Sequence, residues 1–126
     1  MENAFSASIG RTFAVTNRYN GHTWIGDEPL ERGGENLGPD PMGLFLSGLA
    51  SCRLITIQMY AQHKGWEVQS MTISLEITPL ADGHAITQEL QFEGKLDEKQ
   101  RERLKVISHR CPVSRLILNK IESRDR

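Results

Sequence analysis

Phe5, Ala7, Ile9, Phe13 and Val15 share one parity along the first stretch of the chain, and mostly Ser, Thr and Gly fill the other. Because successive side chains of a strand point to opposite faces, this period of two predicts a half-buried strand over residues 5–15. Asn20-Gly21 follows, a pair that readily supplies the positive φ needed at both centres of a type I′ turn, with Thr23-Trp24-Ile25 as the returning strand. A hairpin is therefore expected to open the fold. Residues 26–40 hold four glycines and two prolines and read as a loop. The loop ends in Asp40-Pro41, an N-cap acceptor followed by the residue best suited to the first helical position, so a helix is predicted from about Pro41 to His63, with Gly65 as terminator. Phe45, Leu49, Cys52, Ile55 and Met59 recur along it at spacings of three and four, and Leu46, Ala50, Leu54 and Ile57 widen the stripe. That pattern predicts a central, largely buried helix.

Further on, Met71, Ile73, Leu75 and Ile77 alternate strictly with Thr72, Ser74, Glu76 and Thr78. A one-sided strand over 70–78 is expected, pairing antiparallel with a second over 85–93. Asp82-Gly83 suits a tight turn between them, although Pro79 suggests a connection longer than two residues. Asp97, with Gln100 three residues on, resembles a capping box, and Leu104, Ile107 and Cys111 share one face of the helix that follows. Because a residue before proline is biased away from the α conformation, Cys111-Pro112 should end that helix and start another short turn of helix, with Cys111 at its N-terminus. The polar tail, 119–126, is expected either to add a last edge strand or to fray.

At 126 residues, with no repeat or low-complexity tract, the chain reads as one domain over 1–126, and 38% hydrophobic against 25% charged residues is the composition of a chain that folds. Fifteen basic residues against sixteen acidic leave a net charge of −1, with no basic excess for a phosphate backbone, so a nucleic acid is not an expected partner. Met1-Glu2-Asn3-Ala4-Phe5 lacks the basic start and apolar run of a secretory signal. The longest apolar segment, 44–57, is interrupted by Ser47, Ser51, Arg53 and Thr56, and is read as too polar for a membrane span. A cytoplasmic protein is expected, and in that reducing compartment any bond between the two cysteines, Cys52 and Cys111, would be transient and functional.

Neither cysteine belongs to a Cys-x-x-Cys spacing, so neither a zinc knuckle nor a thioredoxin motif is indicated, and no metal set or cofactor motif stands out. A dithiol assembled by the fold is the remaining chemical reading. Cys111 at a helix N-terminus would have its thiolate favoured by unpaired N–H groups, whereas Cys52, in mid-helix, needs a positive side chain from elsewhere. Taken alone, Cys52 reads first as a small buried hydrophobe, as free cysteines usually are. His109, two residues before Cys111, is on a helix directed away from it; His63 reads as a helix C-terminal residue, and His22 and His84 as turn residues.

Gly33-Gly34-Glu35-Asn36-Leu37-Gly38-Pro39-Asp40-Pro41, then Leu44-Phe45-Leu46-Ser47-Gly48-Leu49-Ala50-Ser51-Cys52, resembles the first cysteine motif of the OsmC/Ohr family, and Arg110-Cys111-Pro112-Val113-Ser114-Arg115 resembles its Cys-Pro-Val motif. The resemblance implies an α+β fold with antiparallel or mixed sheets and a long central cysteine-bearing helix, built as an intertwined homodimer. It also implies a thiol peroxidase of oxidative-stress defence, with a hydroperoxide as substrate, organic rather than hydrogen peroxide, and an external dithiol as reductant. Mapped onto this chain, Cys52 would be the peroxidatic residue and Cys111 the resolving one. The family's arginine near the first hairpin corresponds to Arg18, with Arg11, on the apolar parity, as its rival. Met42 and Gly43 stand where the family's peroxidases place a carboxylate bonded to that arginine; Glu28 or Glu35 from the loop would be the substitutes. The alternatives in other classes are a dimer that binds an apolar ligand without catalysis and a redox sensor.

Overall fold

The computed structural model describes residues 4–126; Met1, Glu2 and Asn3, part of the segment that argues against a secretory signal, lie outside the described residues. The chain divides into two compact units, the first ending at Ser47 and the second running from Gly48 to Arg126. The first unit carries a three-stranded antiparallel sheet in the order β1 (Ser6–Ile9), β2 (Val15–Tyr19), β3 (His22–Gly26). The expected strand over 5–15 is therefore two strands. Residues 11–13 bend, the chain reverses, and Ile9 pairs with Val15. Parity cannot register such a reversal, and Phe5, Ile9 and Phe13, the supposed buried set, are each more than half exposed. The second turn is as expected: Asn20 and Gly21 take φ of 49° and 79°, and Tyr19 pairs with His22.

The loop after β3 is fastened by one buried carboxylate. Asp27 accepts the N–H groups of Glu28 (2.8 Å), Glu35 (3.3 Å) and Leu37 (3.2 Å), while its own N–H donates to the Pro39 carbonyl. Here the motif glycines have a steric reason, since a Cβ at Gly34 would fall onto the Glu28 carbonyl and one at Gly38 onto that of Ile25. A single 3-10 turn, Leu30–Arg32, interrupts the loop.

Helix α1, Pro41–Lys64, starts where Asp40 accepts the Gly43 N–H at 2.8 Å, and it ends in a Schellman arrangement, Gly65 (φ 72°) donating to Gln62 and Trp66 to Ala61. Only one row of this helix is fully covered: Leu49, Arg53, Ile57 and Ala61. The expected stripe is not the buried face, since Ile55 and Met59 are 54% and 66% exposed. By length and composition α1 is also apolar enough to span a bilayer, contrary to the expectation drawn from its polar interruptions, because two serines and a threonine weigh little in so apolar a helix. Arg53 distinguishes it: the charge is buried among protein side chains.

The second unit continues with the hairpin β4 (Ser70–Leu80) and β5 (Gly83–Glu93), joined through Ala81-Asp82. The connection is two residues and not longer, and Pro79 is accommodated near the strand end in a two-stranded sheet, where each strand has an edge that needs no N–H. Helix α2 (Glu98–Ser108) opens with the anticipated capping box of Asp97 and Gln100, and α3 (Pro112–Ile117) follows. The tail after α3 adds no strand. Ile57, Ala61, Phe92 and Leu104 form the core of this unit, with Trp66, Met71 and Leu90 packed against it. Antiparallel sheets, a long helix and two shorter ones make an α+β fold.

Candidate active site

Two elements of the second unit bring the thiols together. Cys52 lies midway along α1 and is half-buried; Cys111, the N-cap of α3, is fully buried. Proline at the first position of α3 fixes the chain so that Cys111 stays extended, with φ −67° and ψ 150°, and its sulfur accepts the Ser114 N–H at 3.2 Å in the manner of a capping oxygen. The Ser114 hydroxyl lies 2.9 Å from the same sulfur. Cys52 and Cys111 stand close enough for each to shift the other's protonation, and the Val113 backbone acts on Cys52 as well.

These contacts are unequal. Burial pushes the Cys52 thiol above its ordinary range; the Val113 N–H opposes the rise, and the bond to Cys111 together with that sulfur's charge adds to it. Burial acts on Cys111 in the same sense. There the hydroxyl and N–H of Ser114, the Cys52 thiol and the Arg53 charge outweigh it and hold Cys111 below the ordinary range. Of the two thiols, Cys111 is thus the one that ionises more readily, and the two titrate as a pair.

Arg53 is the residue that reasoning from the sequence missed. It was counted only as an interruption of an apolar segment. In the structure it is 5% exposed, donating from Nε to Ser114 Oγ at 3.1 Å and from a terminal nitrogen to Gln88 Oε1 at 3.0 Å. Gln88 in turn donates to Ser108 Oγ at 2.8 Å and lies 3.2 Å from His109 Nε2. Burial, with the Arg53 charge, keeps His109 below its usual pKa. The signal that would have found Arg53 is its row: residues four apart on one helix share a face, and Arg53 stands between Leu49 and Ile57, both fully buried.

The other candidates lie elsewhere. Arg18 is on β2 in the first unit, exposed, with Ser6 and Thr23 as its cross-strand neighbours. Its rival Arg11 is in the bend between β1 and β2, so the parity that recommended it has no strand to act on. Glu28 has a carboxylate 3.9 Å from Arg32, and Glu35 is exposed beside the Asp27 hub. His22 opens β3 and His84 lies in β5; each flanks its turn and is not within it.

The family model for OsmC-like proteins matches residues 33–124. The chain belongs to the OsmC-like family. Solved structures agree in fold. An OsmC-like protein from Mycoplasma pneumoniae is 19% identical, with a TM-score of 0.77, covering 94% of this chain and 89% of its own. An organic hydroperoxide resistance protein, OsmC, from Legionella pneumophila is 23% identical with a TM-score of 0.66, covering 90% and 87%. A putative organic hydroperoxide resistance protein from Vibrio cholerae, with captopril bound in one of its active sites, is 25% identical with a TM-score of 0.65, covering 93% and 84%. No curated protein matches the sequence. In this OsmC-like chain, then, two free cysteines stand beside a buried arginine that reaches Cys111 through Ser114.

Proposed function

We propose that the protein is a thiol-dependent reductase of organic hydroperoxides, with Cys52 as the peroxidatic residue and Cys111 as the resolving one. The observation that carries the reading is the neighbouring pair of free thiols, one half-buried and one buried. The likeness to proteins named for organic hydroperoxide resistance supports it. In the first step the Cys52 proton passes to Cys111, and the Cys52 thiolate attacks a peroxide oxygen. The O–O bond breaks, the alkoxide takes the proton from Cys111 and leaves as the alcohol, and Cys52 is left as a sulfenic acid. Cys111, again as thiolate, then attacks the Cys52 sulfur, forming the disulfide and expelling hydroxide, which becomes water. An external dithiol returns two electrons and restores both thiols. A reducing compartment such as the cytoplasm suits this cycle, and the protein works as a homodimer that covers the apolar residues left exposed on α1. Arg18 is the candidate, on the resemblance alone, for supporting the Cys52 thiolate.

One observation favours a second reading. The surroundings lower the pKa of Cys111 and raise that of Cys52, and Met42 and Gly43 stand where the resemblance places a carboxylate, which suits a redox sensor in which disulfide formation is slow and its product is the signal. Consumption of cumene hydroperoxide by the dithiol-reduced protein separates the two. Turnover well above that of free thiol, abolished in Cys52→Ser and giving a trappable sulfenic acid in Cys111→Ser, is the expected outcome. A rate no faster than free thiol would transfer the assignment to the sensor.

A further inference from the structure

Arg53 is buried, yet no carboxylate of residues 48–126 forms an ion pair with it; its bonded partners are a serine hydroxyl and a glutamine carbonyl. A buried guanidinium with neutral partners alone is left with an uncompensated charge, so a nearby acid that ionises is stabilised by it. The group in that position is Cys111. Its sulfur and Arg53 share one intermediary, the Ser114 hydroxyl, which accepts the Arg53 Nε–H at 3.1 Å and lies 2.9 Å from Cys111 Sγ. Because its oxygen is already occupied by the arginine N–H, the hydroxyl can turn its own proton to the sulfur once Cys111 is ionised, while the Ser114 N–H approaches from 3.2 Å. Gln88 holds the guanidinium in place from the other side, and its amide is fixed in orientation by Ser108 and His109.

We propose that Arg53, acting through Ser114, is a positioning residue that gives the disulfide a direction: it makes Cys111 the leaving thiolate, so that the reducing dithiol attacks Cys52. The inference rests on the disulfide cycle proposed above and adds its regiochemistry. A thiolate of the external dithiol attacks Cys52 Sγ; the Cys52–Cys111 bond breaks, and its electron pair stays on Cys111, facing Ser114 and Arg53. The mixed disulfide on Cys52 is then attacked by the dithiol's second sulfur, which closes its own disulfide and releases Cys52 as a thiolate that takes a proton from water. Accessibility favours the same direction, since Cys52 is half-buried and Cys111 fully buried. A lower leaving-group pKa speeds the exchange, and a stabilised thiolate in the reduced state makes the disulfide more oxidising.

The test needs no peroxide. The full chain, with Arg53→Lys, Arg53→Gln and Ser114→Ala variants, is oxidised with diamide, equilibrated in dithiothreitol redox buffers, and its disulfide fraction read by mass after alkylation. Arg53→Gln and Ser114→Ala are expected to shift the equilibrium at least tenfold toward the disulfide, about 30 mV, and to slow reduction by a similar factor, while Arg53→Lys stays within about threefold of the native chain. With glutathione as a one-thiol reductant, the trapped mixed disulfide should be on Cys52. Equal potentials in all four proteins, Arg53→Lys behaving like Arg53→Gln, or glutathione trapped mainly on Cys111 would overturn the proposal. If Arg53→Gln does not fold by circular dichroism, Ser114→Ala decides the matter by the same criterion. Failure of diamide to form the disulfide would remove this inference and the cycle together, whereas a native chain that passes this test but ignores cumene hydroperoxide would lose only the peroxidase reading.

Discussion

Two sulfurs of the same chemistry are made unlike by what donates to them. Cys111 accepts the Ser114 N–H and lies against the Ser114 hydroxyl beside a buried guanidinium, and Cys52 has no such set of partners. In Cys52→Ser, which keeps a hydroxyl at that position, thiolate absorbance at 240 nm is expected to rise with a midpoint below 9.0, the ordinary value for this thiol. The native chain should show two steps, one below 9.0 and one above, belonging to the pair. A group whose folded pKa is depressed adds stability that is complete above its unfolded pKa and is lost as pH falls through the folded value. The urea midpoint of Cys52→Ser, relative to Cys52→Ser/Cys111→Ala, should therefore rise from pH 7 to pH 9; a flat difference would mean that the thiol titrates alike folded and unfolded. The two cysteines were legible in the sequence because each sits in a motif. Arg53 was not, since a hydropathy reading counts a charge as an interruption whether it faces water or a buried partner. Asp27 escaped notice for the same reason: its role lies in three N–H groups up to ten residues away, which no local pattern records.

Elements were most readable where one local rule fixes them. Strand β4 alternates half-buried and exposed residues as its sequence does, and the boundaries of α1 and α2 follow from Asp40, Gly65 and the Asp97–Gln100 box. Reading failed where a neighbour decides: a turn placed inside the alternating run at 5–15, and a row of α1 chosen for burial by the sheet and α3 against the more apolar stripe. Two substitutions test the local devices. Nothing stands within 4 Å of a Cβ placed at Gly65, so Gly65→Ala meets only the left-handed backbone, and a loss of about 1–2 kcal/mol is expected in urea unfolding with unchanged slope. Asp27→Asn turns an amide donor or a neutral oxygen toward the three loop N–H groups, and a loss of about 2–3 kcal/mol is expected, since hydrogen bonds to a buried charge are the strong ones. If Asp27→Asn unfolded at the native urea concentration, the carboxylate would not be what closes the loop.

An isolated chain leaves part of the apolar surface of α1 in water. Phe45, Ile55 and Met59 on α1 are 39%, 54% and 66% exposed, and they recur at the spacing of a single helical face. Each is a member of the stripe that the sequence nominates for burial, so pattern and structure disagree only if one chain is the whole assembly. Apolar patches of this kind on a soluble protein mark a contact surface, and a self-complementary contact between two copies is the commonest closed arrangement. The homodimer of the proposed function would resolve the disagreement by burying this stripe against the second copy. Sedimentation equilibrium of the native chain should then give twice 14.2 kDa. A glutamate at Ile55 would have to be desolvated in that interface, so Ile55→Glu is expected to weaken association at least a hundredfold, about 2.8 kcal/mol. The urea unfolding slope per chain should fall with it, because less surface would be exposed on unfolding a monomer. Glu102→Gln, on the exposed side of α2 where Lys105 is its partner, should leave the assembly unchanged. A native chain that sediments at 14.2 kDa through the millimolar range would show that the stripe meets something other than a second copy.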